Sequence, residues 1–223
     1  MERQRYYVRH HFNEVLKRVN EDRDKIQVIV GPRQVGKSTL IEQVLEAIEF
    51  PYTLAKADGV DSEDFGWVHR TWESVRGLMK VNNEKSHLLV IDEIQKISRW
   101  SEAIKAEWDW DTHNHVNIKL VLLGSSRLML QAGLKESLAG RFELIRMGHW
   151  TFTEMSEAFG FTLDDYIYFG GYPGAAKLIA DEKRWKRYIK DSIAAPAIEK
   201  DVLQISRVYK PALLKQLFEH EIL

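Results

Sequence analysis

The sequence predicts an α/β fold in which a parallel sheet is flanked by helices and followed by a smaller, all-helical part. Three observations predict it. Short apolar runs of strand length alternate with stretches of helical periodicity over residues 1–150. A glycine-rich loop joins the first predicted strand to the next helix. Beyond residue 150 only helical patterns remain.

Five strands are predicted, and their expected ranges are 26–30, 51–56, 87–91, 118–123 and 142–147. The third and fourth are continuous apolar runs, which is typical of strands covered on both faces of a parallel sheet. Because helices separate the strands, right-handed crossovers between parallel strands are expected.

Helical periodicity predicts a leading helix around Phe12–Val19, and then helices over 37–49, 62–80, 100–110, 152–159, 163–169, 175–179 and 181–202. The 62–80 helix carries an apolar stripe that we expect to pack in the core, formed by Phe65, Val68, Trp72, Val75 and Met79.

The change of pattern divides the chain into an α/β domain over 1–150 and a helical subdomain over 151–223. The last apolar pattern, Leu213, Leu214, Leu217 and Phe218, has no cap or glycine after it. We therefore expect the helical subdomain to be incomplete at its C-terminus, and the alternative is a frayed native end.

Composition excludes several functional classes. The formal net charge of −1 gives no overall electrostatic footprint for nucleic acid. The basic cluster at 184–190 is interpreted as a solvated helix face, and the alternative is a local basic face. No apolar run approaches the ~18 residues of a membrane span, and the N-terminal residues lack a signal-peptide pattern. With no cysteine, disulfides and thiolate metal sites are excluded, and a cytoplasmic location is expected.

The most specific feature is the stretch Gly31-Pro32-Arg33-Gln34-Val35-Gly36-Lys37-Ser38-Thr39, which fits the phosphate-loop pattern G-x-x-x-x-G-K-[ST]. Its backbone N–H groups and the N-terminus of the following helix are expected to hold phosphate. Lys37 is expected to reach the β- and γ-phosphates, and the Ser38 hydroxyl to ligate Mg²⁺. The sequence therefore predicts nucleotide binding, and the alternative is a glycine-rich turn that binds nothing.

A buried strand delivers two adjacent carboxylates, Asp92 and Glu93, at its carboxyl end. In an open parallel sheet ligands bind at that edge, and the phosphate loop lies on the same edge. We expect Asp92 to hold Mg²⁺ directly or through water. Glu93 is then placed to act as a general base that polarises water for attack on the γ-phosphate.

Two further polar residues are candidates on weaker grounds. The next strand ends in Gly124-Ser125-Ser126, where Ser125, ahead of Ser126, is expected to orient the attacking water or sense phosphate. The alternative there is a plain strand-end turn. Arg141 precedes the fifth strand and is interpreted as an arginine finger on the active edge of the sheet, acting in cis or from a neighbouring subunit. Taken alone, an arginine in a loop is mostly a surface charge.

In this order, the phosphate loop, Asp92-Glu93, Gly124-Ser125-Ser126 and Leu138-Ala139-Gly140-Arg141 resemble the prokaryotic AAA+ ATPases of the archaeal-ATPase type. The more specific parts are the whole loop, the run Ile91-Asp92-Glu93-Ile94-Gln95, and Gly170-Gly171-Tyr172-Pro173-Gly174. The resemblance covers most of residues 10–210. It implies a P-loop NTPase fold with a five-stranded parallel sheet and a small helical lid, and this chain departs from it in being shorter.

The resemblance also implies function. It implies ATP rather than GTP as the nucleotide, with Mg²⁺, and places Ser125 at a sensor position. Arg141 matches an arginine that serves a neighbouring active site, so the implied partners are further copies of the chain and an unidentified protein. The segment 170–173 matches a motif of the helical lid and is implied to approach the nucleotide, and the alternative is a helix-breaking turn.

Together these observations predict an Mg²⁺-dependent ATPase whose cycle moves the helical lid relative to the α/β core. A nucleotide-gated binding module with little hydrolysis is the alternative. A nucleic-acid-stimulated motor is disfavoured by the near-neutral charge.

Overall fold

The computed structural model describes residues 6–125, 134 and 137–197 and divides into two compact units. The α/β unit comprises Met1–Gly31 and Lys37–Met147, and the helical unit comprises Pro32–Gly36 and Gly148–Leu223. The tip of the phosphate loop therefore groups with the helical unit, while the two ends of the loop belong to the α/β unit.

The α/β unit is built on a five-stranded sheet in which every pairing is parallel. The strands are β1 (Ile26–Val30), β2 (Tyr52–Lys56), β3 (His87–Asp92), β4 (Ile118–Gly124) and β5 (Phe142–Arg146), in the spatial order β2-β3-β4-β1-β5. The inner strands β1, β3 and β4 are almost entirely buried, as expected of strands covered on both faces. The predicted five-stranded parallel α/β fold is confirmed.

Among the described residues of the α/β unit, the strands alternate with the α-helices α1 (His11–Asn20), α2 (Lys37–Ala47), α3 (Trp67–Asn82) and α4 (Trp100–His113). A short 3₁₀ helix, Ile94–Lys96, follows β3. The core joins apolar residues of α3 and α4, such as Trp72 and Ile104, to the sheet residues Leu89 and Leu120. In the described part of the chain no helix is both long and apolar enough to span a bilayer.

Helix α3 begins at Trp67, five residues later than predicted, and Phe65 lies outside it with half of its surface exposed. The other four residues of the predicted stripe are buried as expected. The polar run before Phe65 forms turns instead, since Asp61 accepts hydrogen bonds from the backbone N–H groups of Glu63 and Asp64. Aspartate side chains favour such turns over a helical backbone.

The helical unit contains three α-helices among its described residues: α5 (Phe152–Phe159), α6 (Leu163–Phe169) and α7 (Glu182–Tyr188). Helices α5 and α6 each begin at a capping box, Thr151 with Glu154 and Thr162 with Asp165. A small apolar core surrounds Trp185.

Two predicted helices of this unit differ from the structure. The segment Pro173–Leu178 is a 3₁₀ helix, and α7 continues into a π-helix over Ile189–Ala194. A π-helix shifts the hydrogen-bonding register of the backbone and frequently occurs at functional sites. The predicted end of the last helix near residue 202, the apolar pattern at 213–218 and Ser126 lie outside the described residues.

A buried ion-pair network joins α3 to α4. The Arg76 guanidinium lies 2.7 Å from both a Glu107 and an Asp111 carboxylate oxygen, and Trp72 Nε1 donates to Asp111 at 2.6 Å. Burial alone would lower the pKa of Arg76, but its hydrogen bonds to Glu73 and Asp111 raise it above the ordinary value. His69, Glu73 and Glu107 bring potential metal ligands within 4.8 Å of one another. Because Arg76 already bonds both carboxylates, we assign this cluster a structural role.

We expect Asp111→Ala to lower the free energy of unfolding by about 3–5 kcal/mol, because the buried Nε–H of Arg76 and the indole N–H of Trp72 both lose the carboxylate that accepts from them. Urea denaturation of the purified protein measures this. Asp24→Ala is the control, since Asp24 pairs with Lys25 at the surface and is expected to cost less than about 1 kcal/mol. A similar loss in both variants would contradict the stabilising role of the network.

Candidate nucleotide-binding site

The phosphate loop runs from the end of β1 to the start of α2, as predicted, and two of its glycines are required by geometry. A Cβ atom on Gly31 would lie 2.2 Å from the carbonyl oxygen of Met147, because Met147 N–H donates to Val30 and holds the two segments together. Gly36 has φ +94°, a conformation that residues with a side chain rarely adopt. Larger residues are therefore excluded at both positions.

Lys37 is the first residue of α2, and its side chain is largely buried. Its ammonium group donates a hydrogen bond to the carbonyl oxygen of Gly31 at 2.9 Å. The Lys37 side chain therefore folds back toward the first residue of the loop. Thr39, at the end of the motif, is half-buried in the first turn of the same helix.

The two residues predicted to bind metal meet in the structure. Ser38 Oγ donates to Asp92 Oδ2 at 3.3 Å, and Ser38 is exposed while Asp92 is half-buried at the end of β3. A hydroxyl and a carboxylate are hard oxygen donors of the kind that Mg²⁺ prefers, and Mg²⁺ sites in nucleotide-binding proteins use one or two such protein ligands. The pair therefore fits a magnesium ion.

Glu93 and Ser125 also meet. The Ser125 hydroxyl donates to Glu93 Oε2 at 2.9 Å, although the two residues are 32 positions apart. The Glu93 backbone has φ 55° and ψ 35°, and its N–H donates to the carbonyl of Leu123 in β4. Side chains along a strand point to alternate faces, and this left-handed conformation interrupts that alternation after Asp92. The Glu93 side chain therefore contacts Ser125, whereas Asp92 contacts Ser38.

Gln95 contacts the same carboxylate, although no functional role was predicted for this residue. Its Nε2 donates to Glu93 Oε2 at 2.5 Å from the 3₁₀ helix that follows β3. The signal was present in the sequence, because Gln95 belongs to the run Ile91–Gln95 that carries part of the resemblance.

Arg141 does not lie on the predicted edge of the sheet. Its carbonyl accepts from Ile26 N–H, and β5 pairs with β1 from Ile26↔Phe142 onward, so Arg141 lies at the amino end of the strands. The four steps from Ile26 to Val30, where the phosphate loop begins, span about 13 Å at ~3.3 Å per residue. The placement on the active edge was wrong, and action in cis loses its basis.

The Arg141 guanidinium forms two hydrogen bonds to the Asp109 carboxylate, at 2.8 and 3.0 Å. These bonds raise the pKa of Arg141 above its ordinary value. About a third of the Arg141 side-chain surface is exposed, so the charged group is held in a defined position near the surface.

Within the helical unit, side-chain hydrogen bonds connect the loop tip to the residues that follow β5. Tyr188 Oη donates to Gln34 Oε1 at 2.7 Å, and Gln34 Nε2 donates to the carbonyl of Ser192 in the π-helix at 2.9 Å. Trp150 Nε1 donates to the carbonyl of Val35 at 3.0 Å. We call the contacts of Gln34 with Tyr188 and Ser192 the Gln34 clasp. The phosphate-loop pattern leaves position 34 open, so it gave no signal for this contact.

The remaining predicted residues take the following places. Pro32 and Arg33 are half-buried members of the loop tip. In the segment 170–174, the Gly171 carbonyl accepts from Trp150 N–H, and a Cβ atom on Gly174 would lie 2.7 Å from the Tyr188 hydroxyl. This segment thus packs beside the residues that hold the loop tip.

Residues 23–156 match the family model of an AAA domain, and residues 160–220 match that of a domain of unknown function, DUF8612. No curated protein matches the chain. The AAA model covers more than half of the chain and includes the phosphate loop, the acidic pair and the whole sheet. An AAA domain indicates nucleotide binding and ATPase activity, in agreement with the site described above. The chain therefore belongs to the AAA domain family, with a C-terminal domain of unknown function following the AAA domain.

Proposed function

We propose that this protein is an Mg²⁺-dependent ATPase that hydrolyses ATP to ADP and phosphate and couples its nucleotide state to the helical unit. The observation that carries the proposal is the convergence of two pairs at the carboxyl ends of β3 and β4: Ser38 with Asp92, and Ser125 with Glu93. A phosphate loop without these pairs would support binding alone.

Binding is the task of the loop and its helix. Backbone N–H groups of residues 31–38 and the N-terminus of α2 attract the phosphates, and Lys37 neutralises charge on the β- and γ-phosphates. Ser38 and Asp92 would hold Mg²⁺, which when bound supplies further charge neutralisation at these phosphates.

Hydrolysis is the task of Glu93. Its carboxylate accepts a proton from a water that attacks the γ-phosphate, and Ser125 holds one carboxylate oxygen in place. Because Asp92 is engaged with Ser38, the two adjacent acids take separate roles in metal binding and proton transfer.

Arg141 is proposed to act from a neighbouring copy of the chain. Its position at the amino end of β5 separates it from the loop of its own chain, and its ion pair with Asp109 holds the guanidinium at the surface. A homo-oligomer in which one copy presents this arginine to the next would use it to neutralise charge on the transferring phosphoryl group.

The Gln34 clasp supports coupling. The loop tip is hydrogen-bonded to α7 and the π-helix. A rearrangement of the tip around phosphate would therefore change the hydrogen bonds of Gln34 with Tyr188 and Ser192. On this basis we propose that the helical unit serves as a lid whose state follows the nucleotide and sets the affinity for a protein partner.

We expect Lys37→Ala to abolish ATP binding, because it removes the cation of the phosphate site, and Glu93→Gln to retain binding while turnover falls by at least about 100-fold. Titration calorimetry with Mg·ATP and a phosphate-release assay measure the two effects. Wild-type protein that binds Mg·ATP without turnover would instead support the nucleotide-gated binding module. Equal losses of affinity in both variants would contradict the separate roles.

We expect Arg141→Ala to lower turnover by about 1,000-fold, in line with the contribution of arginine fingers. Because Arg141 acts between copies, mixing Arg141→Ala with Glu93→Gln is expected to recover turnover that neither variant has alone. Arg99→Ala is the control, since Arg99 is an exposed arginine paired with Glu102. A mixture that stays inactive would exclude the proposed action between copies.

We expect Mg·ATP to slow amide hydrogen exchange over residues 182–194 in the wild type and much less in Tyr188→Phe, because the variant loses the hydroxyl that holds Gln34. Exchange is followed by mass spectrometry. Tyr168→Phe is the matched control, since its hydroxyl bonds Glu182 at a different place in the helical unit. Equal slowing in the wild type and Tyr188→Phe would rule out transmission through the Gln34 clasp.

A further inference from the structure

Gln95 is a buried polar side chain in the turn that follows β3. It lies two residues after Glu93 in the 3₁₀ helix Ile94–Lys96 and is only 6% exposed. Its neighbours Ile94 and Ile97 are buried and apolar. A residue chosen for packing alone would be apolar at this position as well.

The amide group of Gln95 is oriented by the carboxylate of Glu93. An ionised carboxylate only accepts hydrogen bonds, so the group at 2.5 Å from Glu93 Oε2 is the NH₂ of Gln95. Ser125 Oγ donates to the same oxygen from the end of β4. Two donors from different elements thus converge on Oε2, while Oε1 of Glu93 accepts no hydrogen bond from the described residues.

The other end of the Gln95 amide is not used in the same way. Its Oε1 is buried and has no hydrogen-bond partner among the described residues. A buried acceptor without a partner costs free energy that an apolar side chain of similar size would avoid. The amide NH₂ group, which donates to Glu93, therefore explains why a glutamine occupies this position.

Gln27 provides a contrast within the same protein. It is also 6% exposed, and its Nε2 donates to a glutamate, Glu143, at 3.0 Å. Its Oε1 accepts from Arg18, so both ends of this amide are satisfied. Gln27 lies in β1 near the amino end of the sheet, where it joins β1 to β5. Its role is structural.

We propose that Gln95 is a positioning residue for Glu93. It fixes Oε2 together with Ser125, and thereby leaves Oε1 with its lone pairs directed to the attacking water. This inference rests on the proposed function, in which Glu93 is the general base. Gln95 itself touches neither the nucleotide nor the water, so its effect passes entirely through the orientation of Glu93.

The experiment compares Gln95→Met with Gln27→Met, because methionine keeps the length of glutamine and removes the donor. Steady-state ATP hydrolysis gives kcat and KM for both variants and the wild type, and thermal unfolding gives their stability. For Gln95→Met we expect kcat to fall about 10- to 100-fold with KM within about twofold of the wild type. For Gln27→Met we expect a lower melting temperature with kcat unchanged.

A second measurement does not depend on turnover. The side-chain amide protons of Gln95 are assigned in a ¹H–¹⁵N spectrum by their disappearance in Gln95→Met. In the wild type we expect them downfield, as hydrogen-bonded amide protons are, and in Glu93→Ala we expect them to move upfield. Unchanged shifts in Glu93→Ala would show that Gln95 does not bond Glu93 in solution and would overturn the inference.

The outcomes separate the inference from the proposed function. Turnover by the wild type with an unchanged kcat in Gln95→Met overturns the positioning role and leaves the ATPase intact. Parallel losses of kcat, nucleotide affinity and melting temperature in Gln95→Met assign Gln95 a structural role and also overturn the inference. No turnover by the wild type overturns the ATPase itself, and the positioning role for catalysis falls with it even if the amide shifts report the hydrogen bond.

Discussion

The site depends on the parallel pairing of β4 with both β1 and β3. The register aligns Val30 with Gly124 and Asp92 with Leu123, so three strands end in one row. The phosphate loop directly follows β1, Ser125 directly follows β4, and the acidic pair consists of the last residue of β3 and the residue after it. A register shift of one residue would reverse the faces of a whole strand, and it would separate Glu93 from Ser125. The buried apolar surfaces of the three strands, which make such a shift costly, therefore also fix the geometry of the site.

Glu93 illustrates how the backbone divides two adjacent acids between two tasks. Asp92 ends β3 and turns to Ser38, whereas Glu93 adopts a left-handed conformation that costs about 1–3 kcal/mol for a residue with a side chain. Its N–H still bonds to the carbonyl of Leu123, so the sheet holds the strained residue in place. The strain is maintained by the surrounding hydrogen bonds, and it directs the second carboxylate to Ser125 and Gln95.

The sequence predicted those features that depend on local pattern. The strands were predictable because their apolar runs are continuous, and Ser38 and Asp92 because each lies at a fixed offset from a strand end. The position of Arg141 was also predictable but was inferred wrongly, since a residue that precedes a strand of a parallel sheet must lie at the amino edge. The contacts of Gln34 could not be predicted, because they depend on which groups the side chain meets after folding. For Gln95 the run Ile91–Gln95 singled out the residue, but not the carboxylate that it contacts. Gly31 belongs to both groups: the motif requires it, but the carbonyl of Met147 that excludes a side chain there is a tertiary contact.

The division of the phosphate loop between the two units gives the coupling proposal its physical basis. Gly31 and Lys37 belong to the α/β unit, where Lys37 bonds back to Gly31, whereas the five residues between them group with the helical unit. The backbone N–H groups of this tip are the ones that phosphate would engage, and the Gln34 side chain of the same tip bonds a π-helix, in which the regular hydrogen-bonding register is interrupted. In the coupling proposal, bound phosphate and the helical unit both act on the conformation of these five residues. A ligand shifts such an equilibrium only as far as its affinity differs between the two conformations, so the strength of coupling is set by how much the Gln34 clasp changes when the loop closes on phosphate.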